Sequence, residues 1–538
     1  MKITFIGATH EVTGSKTLIE CCGNNILIDC GMQQGIDAFE NVPLPVNAAD
    51  IDLAILTHAH VDHSGEFPLL YKQGFKGRVY ATAATVDLCN IMLRDCAHIQ
   101  ESEAEWKSRK SVRKGGEPVE PLYDINDVEG ILRKMVRCEY DDPTPVCEGV
   151  EIRFLHVGHL LGASSVELTL HENGECRRIV FSGDIGNVYQ PLINDEKDAG
   201  DTADYVVIES TYGDRLHELG KDNEPDYVGE LAAHLQRTFD RGGNVVIPSF
   251  AVGRTQEILY FIRQIKRDGL VKGHDNFPVY MDSPLANEAT AVFLQCEEDY
   301  LDEQTIEMIR SGCNPIMFDG LKMAVESEQS KAINNDPRPK VIISASGMCD
   351  AGRVRHHLKH NLWRKESLIL FVGYQSVGTL GRSLVDGSKK VKLFGEDITV
   401  NAEIAVLAGI SGHADKNGLI KWLGSFSEKP GMVFVNHGDD DECTAFTKAL
   451  NDELGYKAVA PFSGTSYDLL TGQPIVLTEG IPIEKKQQAA NASAAYQKLL
   501  SSGENLMSII KKSTGVSNKE LTKLAEQIDK LCEKFTQY

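Results

Sequence analysis

Positive charge is what this chain has least of: 55 Lys and Arg stand against 78 Asp and Glu, a formal net charge of −23. Non-specific hold on nucleic acid comes mainly from Lys and Arg on phosphates, so this balance excludes an indiscriminate polyanion binder. If nucleic acid is the substrate, the positive charge that meets it must be local. The 13 cysteines are odd in number and scattered, with Cys21-Cys22 the only close pair and no Cys-x-x-Cys. They read as reduced core residues of a cytoplasmic protein. Long apolar runs are missing as well. Met1 to Gly7 is a short strand-like run without the apolar segment of a signal peptide, and no stretch approaches a membrane span, which argues against export and insertion.

What is present is length and histidine. At 538 residues the chain exceeds one ordinary core and implies two or more domains, and its hydrophobic fraction of 42% suits a soluble globular enzyme. The organising stretch is Thr57-His58-Ala59-His60-Val61-Asp62-His63-Ser64-Gly65, which follows the apolar run Ile51 to Leu56. That run reads as a buried strand, so the histidines sit at a strand's end. Residues two apart in an extended segment project to one side: His58 and His60 can reach one ion while the chain turns and sends Asp62 and His63 to another. Imidazole with carboxylate is a ligand set that suits catalytic zinc, where a position stays open for water.

This His-x-His-x-Asp-His arrangement resembles the metallo-β-lactamase superfamily, an αββα sandwich with metals at one edge of its two sheets. Asp29, ending the strand from Asn25, matches an aspartate that orients ligands there, and is expected to orient and not to ligate. His156-Val157-Gly158-His159 and Ser182-Gly183-Asp184 each follow a strand-like run. The resemblance makes His159 the third histidine of the first metal and Asp184 the bridge between two ions. His156 is only a neighbour, because the superfamily's ligand is the histidine after glycine.

Tyr205-Val206-Val207-Ile208-Glu209-Ser210-Thr211-Tyr212-Gly213 then delivers an acid at the end of a buried strand. Here the resemblance narrows to the β-CASP nucleases, in which a second domain is inserted late in the metallo-β-lactamase fold. Residues 212 to 400 alternate strand-like runs (Asn244 to Pro248, Val279 to Met281, Lys340 to Ala345, Leu368 to Val372) with helical stretches such as Thr255 to Arg267, the pattern of a parallel α/β layer. The chain returns with Ser411-Gly412-His413-Ala414-Asp415 and Asn436-His437-Gly438-Asp439. By resemblance, His437 supplies the second metal's remaining histidine, and His413 is the non-ligand histidine that faces the scissile phosphate and pairs with Glu209. A histidine at the last motif, where DNA-cleaving members tend to carry valine, implies RNA. The opening Glu11-Val12-Thr13-Gly14-Ser15 is similar to the branch containing the eukaryotic pre-mRNA 3′-end endonuclease and its bacterial and archaeal relatives.

The expected fold is therefore α/β: a metallo-β-lactamase sandwich (1–211 and 401–484), an inserted parallel α/β β-CASP domain (212–400) and a helical extension (485–538). The expected function is hydrolysis of RNA with two Zn2+ per chain, one held by His58, His60 and His159, the other by Asp62, His63 and His437, with Asp184 between them. Coordination lowers the pKa of water for in-line attack on phosphorus; Asp62 orients it or accepts its proton, and His413, tuned by Glu209, is the general acid. Arg254, Arg353, Arg382 and the Ser346-Gly347 turn, each at a glycine-bearing strand-to-helix transition, are expected to line the cleft between the domains and hold phosphates. The charged stretch Glu101 to Gly116, with Lys107, Arg109, Lys110, Arg113 and Lys114, reads as a solvated face or loop. In the extension, Ser517 with Glu520 forms a capping box, Val516 with Leu521 a staple, and Leu521, Leu524, Ile528, Leu531 and Phe535 an apolar stripe. The body or a second copy of the chain, giving a homodimer, would cover that stripe equally. Two rivals are a small-molecule thioester or lactam hydrolase, which leaves the inserted domain and the Glu209/His413 pair without a purpose, and a non-catalytic scaffold subunit, against which seven intact ligand positions weigh.

Overall fold

The computed structural model describes residues 1–483, apart from 36–37, 113–116, 189, 218–225, 377 and 408, and beyond them 502, 506–507, 509–510 and 521–528. Two compact units result, Met1–Ile481 and Pro482–Tyr538.

In the first unit, an eight-stranded sheet and a seven-stranded sheet face one another. Ile3, Phe5, Ile19, Ile26 and Ile55 of the first pack with Phe154, Val166, Leu168, Ile179, Val207 and Phe434 of the second in one buried cluster. Alternate side chains of a strand point to opposite faces, so these mostly β-branched and aromatic positions fill the space between the sheets. The Phe5 and Phe434 rings meet across it at 4.9 Å. In the first sheet Asn24–Ile28, Leu53–Ile55 and Arg78–Thr82 run parallel, and in the second Glu175–Phe181, Tyr205–Glu209 and Met432–Asn436 do. Parallel neighbours end on the same side, so the segments that follow these strands collect along one edge of the sandwich. The late strand Ser466–Asp468 returns to pair with Lys2–Gly7.

The third sheet is all parallel, with Val245–Pro248 between Val341–Ser344 and Leu368–Phe371, then Val279–Met281, Leu321–Met323 and Glu403–Val406 outward. This is the expected parallel layer, and each anticipated strand lies within one residue of its observed ends. The expected boundary at 400 falls just ahead of the layer's edge strand Glu403–Val406. One helix differs in extent. Ala83–Val112 continues through most of the stretch read as a solvated face or loop, supported by the i,i+4 pairs Glu103 with Lys107 and Glu105 with Arg109.

Among the described residues no helix is long and apolar enough to cross a membrane. Of the extension, 521–528 is helical, with Leu521 exposed and Leu524 and Ile528 half-buried. Val516, Ser517, Glu520, Leu531 and Phe535, on which the expected cap and much of the stripe rest, lie outside the described residues.

Candidate active site

The loop after Leu53–Ile55 is pinned from below by Asp29, whose Oδ1 accepts the Thr57 amide at 2.8 Å and whose Oδ2 meets His63 Nδ1 at 2.7 Å. The chain stays extended to His60 (φ −54°, ψ 148°) and then makes one helical turn, Val61–Ser64, in which the His63 and Ser64 amides donate to the His60 carbonyl. Extension sends His58 and His60 one way, and the turn sends Asp62 and His63 another. The opposing loop is kept close by Gly31: a Cβ there would stand 1.6 Å from the Asp62 carbonyl oxygen. Asp184 is aimed by Gly183, whose φ of +57° favours glycine.

Two trios form around Asp184. His58, His60 and His159 offer ring nitrogens on one side, and His63, His437 and Asp62 offer nitrogens and a carboxylate on the other; in each group the offered atoms lie within 4.8 Å of one another. Asp184 Oδ2 faces His58 Nε2 (3.4 Å) and His159 Nε2 (3.5 Å), while Oδ1 faces His63 Nε2 (3.3 Å) and His437 Nδ1 (3.5 Å). Each oxygen of one carboxylate thus serves a different trio.

The donor set fits divalent cations. His58 Nε2 and His159 Nε2 both stand 3.1 Å from His60 Nδ1, and His63 Nε2 stands 3.1 Å from His437 Nε2. Nitrogens pointed at one another share one proton at most, and a convergent set of three is what a cation satisfies. Among the described residues Asp184 Oδ1 is buried with no hydrogen-bond donor, an orphan that a positive ion would satisfy. Burial, reinforced by neighbouring imidazoles, holds His58 and His159 well below the usual histidine range, in the neutral form a ligand needs.

The histidines that point inward are held from behind. His159 Nδ1 donates to the Gly412 carbonyl at 2.8 Å, fixing Nε2 as the inward atom, and His63 Nδ1 donates to Asp29. Asp29→Ala is accordingly expected to weaken metal binding by roughly 10- to 100-fold, read by metal retention during stepwise chelator titration. Retention equal to the parent's would remove Asp29 from that support.

Beside the trios, Glu209 is buried at the end of its strand. Its Oε1 accepts the Ile185 amide, and its Oε2 accepts from Thr211 Oγ1 at 2.5 Å and lies 3.0 Å from His413 Nδ1. Burial works against a charged His413, but the Glu209 carboxylate more than offsets it and lifts the imidazole to about 9. His413 belongs to neither trio, its Nδ1 standing 4.0 Å from Asp184.

The arginines expected at the cleft are already engaged within the chain. Arg353 donates to buried Asp282 at 2.8 Å and to the carbonyls of Ala324 and Val325. Arg254 is buried against Glu257 at 2.7 Å, and Arg382 bonds Asp386 at 2.9 Å. Intramolecular carboxylates thus pair with all three cations. Ser346 and Gly347 do lie in the turn after Val341–Ser344, with the Gly347 carbonyl accepting from Gln375 at 3.2 Å. His156 sits apart, stacked on Tyr140 at 3.5 Å. Sequence reading passed over Asp282, which Arg353, His357 and Ser330 all contact, and Gln190, whose amide holds the Gly412 carbonyl. Nothing in their local sequence sets either apart.

Three family models match in chain order: a metallo-beta-lactamase superfamily domain over 18–190, a Beta-Casp domain over 255–384, and a Zn-dependent metallo-hydrolase RNA specificity domain over 397–461. A protein named Ribonuclease TTHA0252, from Thermus thermophilus, is 35% identical over 453 residues, which cover 84% of this chain and 96% of that one. The chain belongs to the β-CASP family of the metallo-β-lactamase superfamily. Other relatives in this family carry the name Transcription termination factor FttA: that of Methanosarcina mazei is 30% identical over 84% of this chain and 69% of its own, and that of Thermococcus kodakarensis 28% identical over 86% and 70%. Membership brings divalent-metal binding and metal-dependent hydrolysis with it, and the two trios are the groups equipped for both.

Proposed function

We propose that the chain is a ribonuclease that hydrolyses phosphodiester bonds of RNA with two zinc ions, one at His58, His60 and His159 and one at Asp62, His63 and His437, joined by Asp184. The observation that carries this reading is the division of the Asp184 oxygens between the trios. It suits the paired-ion spacing of phosphodiester hydrolysis. RNA as the substrate is supported by the RNA specificity match, by the name of the Thermus relative and by histidine at 437.

When bound, such a pair of ions supplies Lewis acidity toward the phosphate oxygens and a water of lowered pKa. The chain's own residues do the rest. Asp62, half-buried at the mouth of its trio, orients the attacking water or takes its proton. His413 keeps its Nδ1 proton on Glu209, so that Nε2–H is free to donate to the departing ribose oxygen. The Thr211 hydroxyl and the Ile185 amide donate to Glu209 and keep its carboxylate aimed at His413. The reading places the protein in the cytoplasm and assigns 485–538 to association with a second copy.

The test incubates purified protein with end-labelled RNA and with DNA of matched sequence, before and after chelation. Expected are RNA products that disappear on chelation and return with zinc, with about two zinc per chain by elemental analysis. Equal cleavage of both strands, or RNA products insensitive to chelation, would overturn the reading.

A further inference from the structure

Two large aromatic side chains are exposed at the mouth of the parallel sheet, where nothing in the core requires them. Phe250 is 44% exposed and Tyr374 50%. Each follows a strand by a few residues: Val245–Pro248 for Phe250, Leu368–Phe371 for Tyr374, and these strands are hydrogen-bonded neighbours. Single exposed aromatics are ordinary on a protein surface. These two lie at the carboxyl ends of parallel strands, the end at which open α/β sheets bind ligands.

The position within that end is also specific. Val245–Pro248 and Val341–Ser344 are adjacent, yet the helices that follow them pack on opposite faces. Arg254–Arg267 buries Ile258, Leu259 and Ile262 in the core cluster on one side, and Val354–Asn361 buries Val354 and Leu358 in the cluster on the other. Such divergence opens a crevice between the two strand ends, the topological switch point. Phe250 stands on one lip. The turn with Gly347 stands on the other, so close that a Cβ on Gly347 would come 3.1 Å from the Phe250 ring.

The platform is held in place. A Cβ on Gly373 would reach 3.9 Å from Phe250 Cε2, so Phe250 lies against two glycine backbones. The buried Gln375 amide donates to the carbonyls of Gly347, Gly373 and Tyr374, tying the two turns together. Thr255 Oγ1 donates to the Phe250 carbonyl at 2.6 Å. The same turn borders the active site: a Cβ on Gly253 would come 3.0 Å from Leu160 Cδ1, next in sequence to His159.

We propose that Phe250 and Tyr374 form a stacking subsite for a nucleobase of single-stranded RNA, next to the bond being cut. The proposal rests on the ribonuclease reading and gives it a means of holding substrate that does not depend on positive charge. A chain of charge −23 whose expected arginines are engaged internally needs such a means. Base stacking on an aromatic ring accepts any sequence, because every base has a π-face.

The experiment measures binding of a fluorescent single-stranded RNA, and of the same RNA lacking one base at a time, to His413→Ala protein, whose slowed turnover leaves the RNA intact during the measurement. At one position, loss of the base should weaken binding by roughly 5- to 150-fold, the range of one base on one aromatic ring. Adding Phe250→Ala and Tyr374→Ala together should reduce that penalty to less than about twofold, since base and both rings are then removed together. Phe250→Trp should keep the affinity for intact RNA, and Phe250→Leu, which fills the site against Gly347 without a π-face, should lose it as Phe250→Ala does. The slope of log affinity against log salt should be the same in all, because no phosphate contact is removed. The subsite is overturned if Phe250→Leu binds as the parent does, if the penalty survives in the protein carrying both Phe250→Ala and Tyr374→Ala, or if the slope flattens by a full contact. A parent that cleaves RNA but shows no position-dependent penalty leaves the ribonuclease reading standing and removes the subsite. A parent that neither binds nor cleaves RNA removes both.

Discussion

His413→Ala is expected to lower kcat for RNA cleavage by roughly 10²- to 10⁴-fold, the usual contribution of a positioned general acid, with the metal content unchanged. The separation of the two readouts follows from the geometry. His413 Nδ1 is turned onto Glu209 at 3.0 Å and stays 4.0 Å from Asp184, whereas every ring assigned to a metal has a nitrogen 3.1 Å from a nitrogen of another such ring. Loss of His413 therefore removes a proton donor and no ligand. The pH profile carries a second signature. The donor must be protonated, and Glu209 lifts His413 to about 9, so cleavage should fall only as pH rises through that region. Glu209→Gln removes the charge that opposes burial, so the imidazole loses its proton earlier and the alkaline limb should move to lower pH. The measurements are kcat against pH for parent, Glu209→Gln and His413→Ala, with elemental analysis of each. A His413→Ala protein missing one zinc would exchange the assigned roles of His413 and His437. An alkaline limb unmoved in Glu209→Gln would remove the proton-transfer role.

The grouping of side chains in the two trios was legible in the sequence because much of their spacing is local. Four of the seven positions fall within six residues, and alternation along an extended segment already divides His58 and His60 from Asp62 and His63. Asp184 and His437 are distant in sequence and were reached through the family resemblance; parallel pairing of the strands they follow brings them together. The inserted layer was legible for a similar reason, since each of its central strands is a short apolar run bounded by polar turns. The arginines were not. A cation beside a glycine at a strand's end looks the same whether it faces a ligand or a carboxylate, and the partner of Arg353 is Asp282, more than seventy residues earlier, at the end of another strand. Two of the three could have been foreseen: Glu257 lies three residues after Arg254 and Asp386 four after Arg382, both on helices, where those spacings face each other. Phe250 and Tyr374 give no sequence sign, because an aromatic residue just past an apolar strand reads as core. Only the strand's end and the glycines beneath the ring show it standing outside.

Asp184→Asn is expected to have the larger effect of the two substitutions: loss of metal from both trios together, and with it all cleavage above background. Asp184 is 1% exposed, and among the described residues its Oδ1 has no hydrogen-bond donor, so its charge faces the imidazoles and the ions they would hold. Asparagine keeps the shape and removes that charge. It also directs an NH2 group at one trio, where a donor faces a cation. The trio facing the remaining carbonyl oxygen keeps a neutral ligand of the right geometry and is the one expected to retain weak binding. A supporting residue costs roughly 10- to 100-fold in metal affinity when removed, as set out for Asp29. A carboxylate that serves both ions should cost more than that at each, and the two losses should occur together, because one side chain links them. Metal titration followed by calorimetry separates the possibilities. The parent should bind two equivalents with one shared ligand between them, and Asp184→Asn at most one, weakly. Two equivalents bound at parent affinity would show that the trios are sufficient by themselves and that Asp184 does not bridge them.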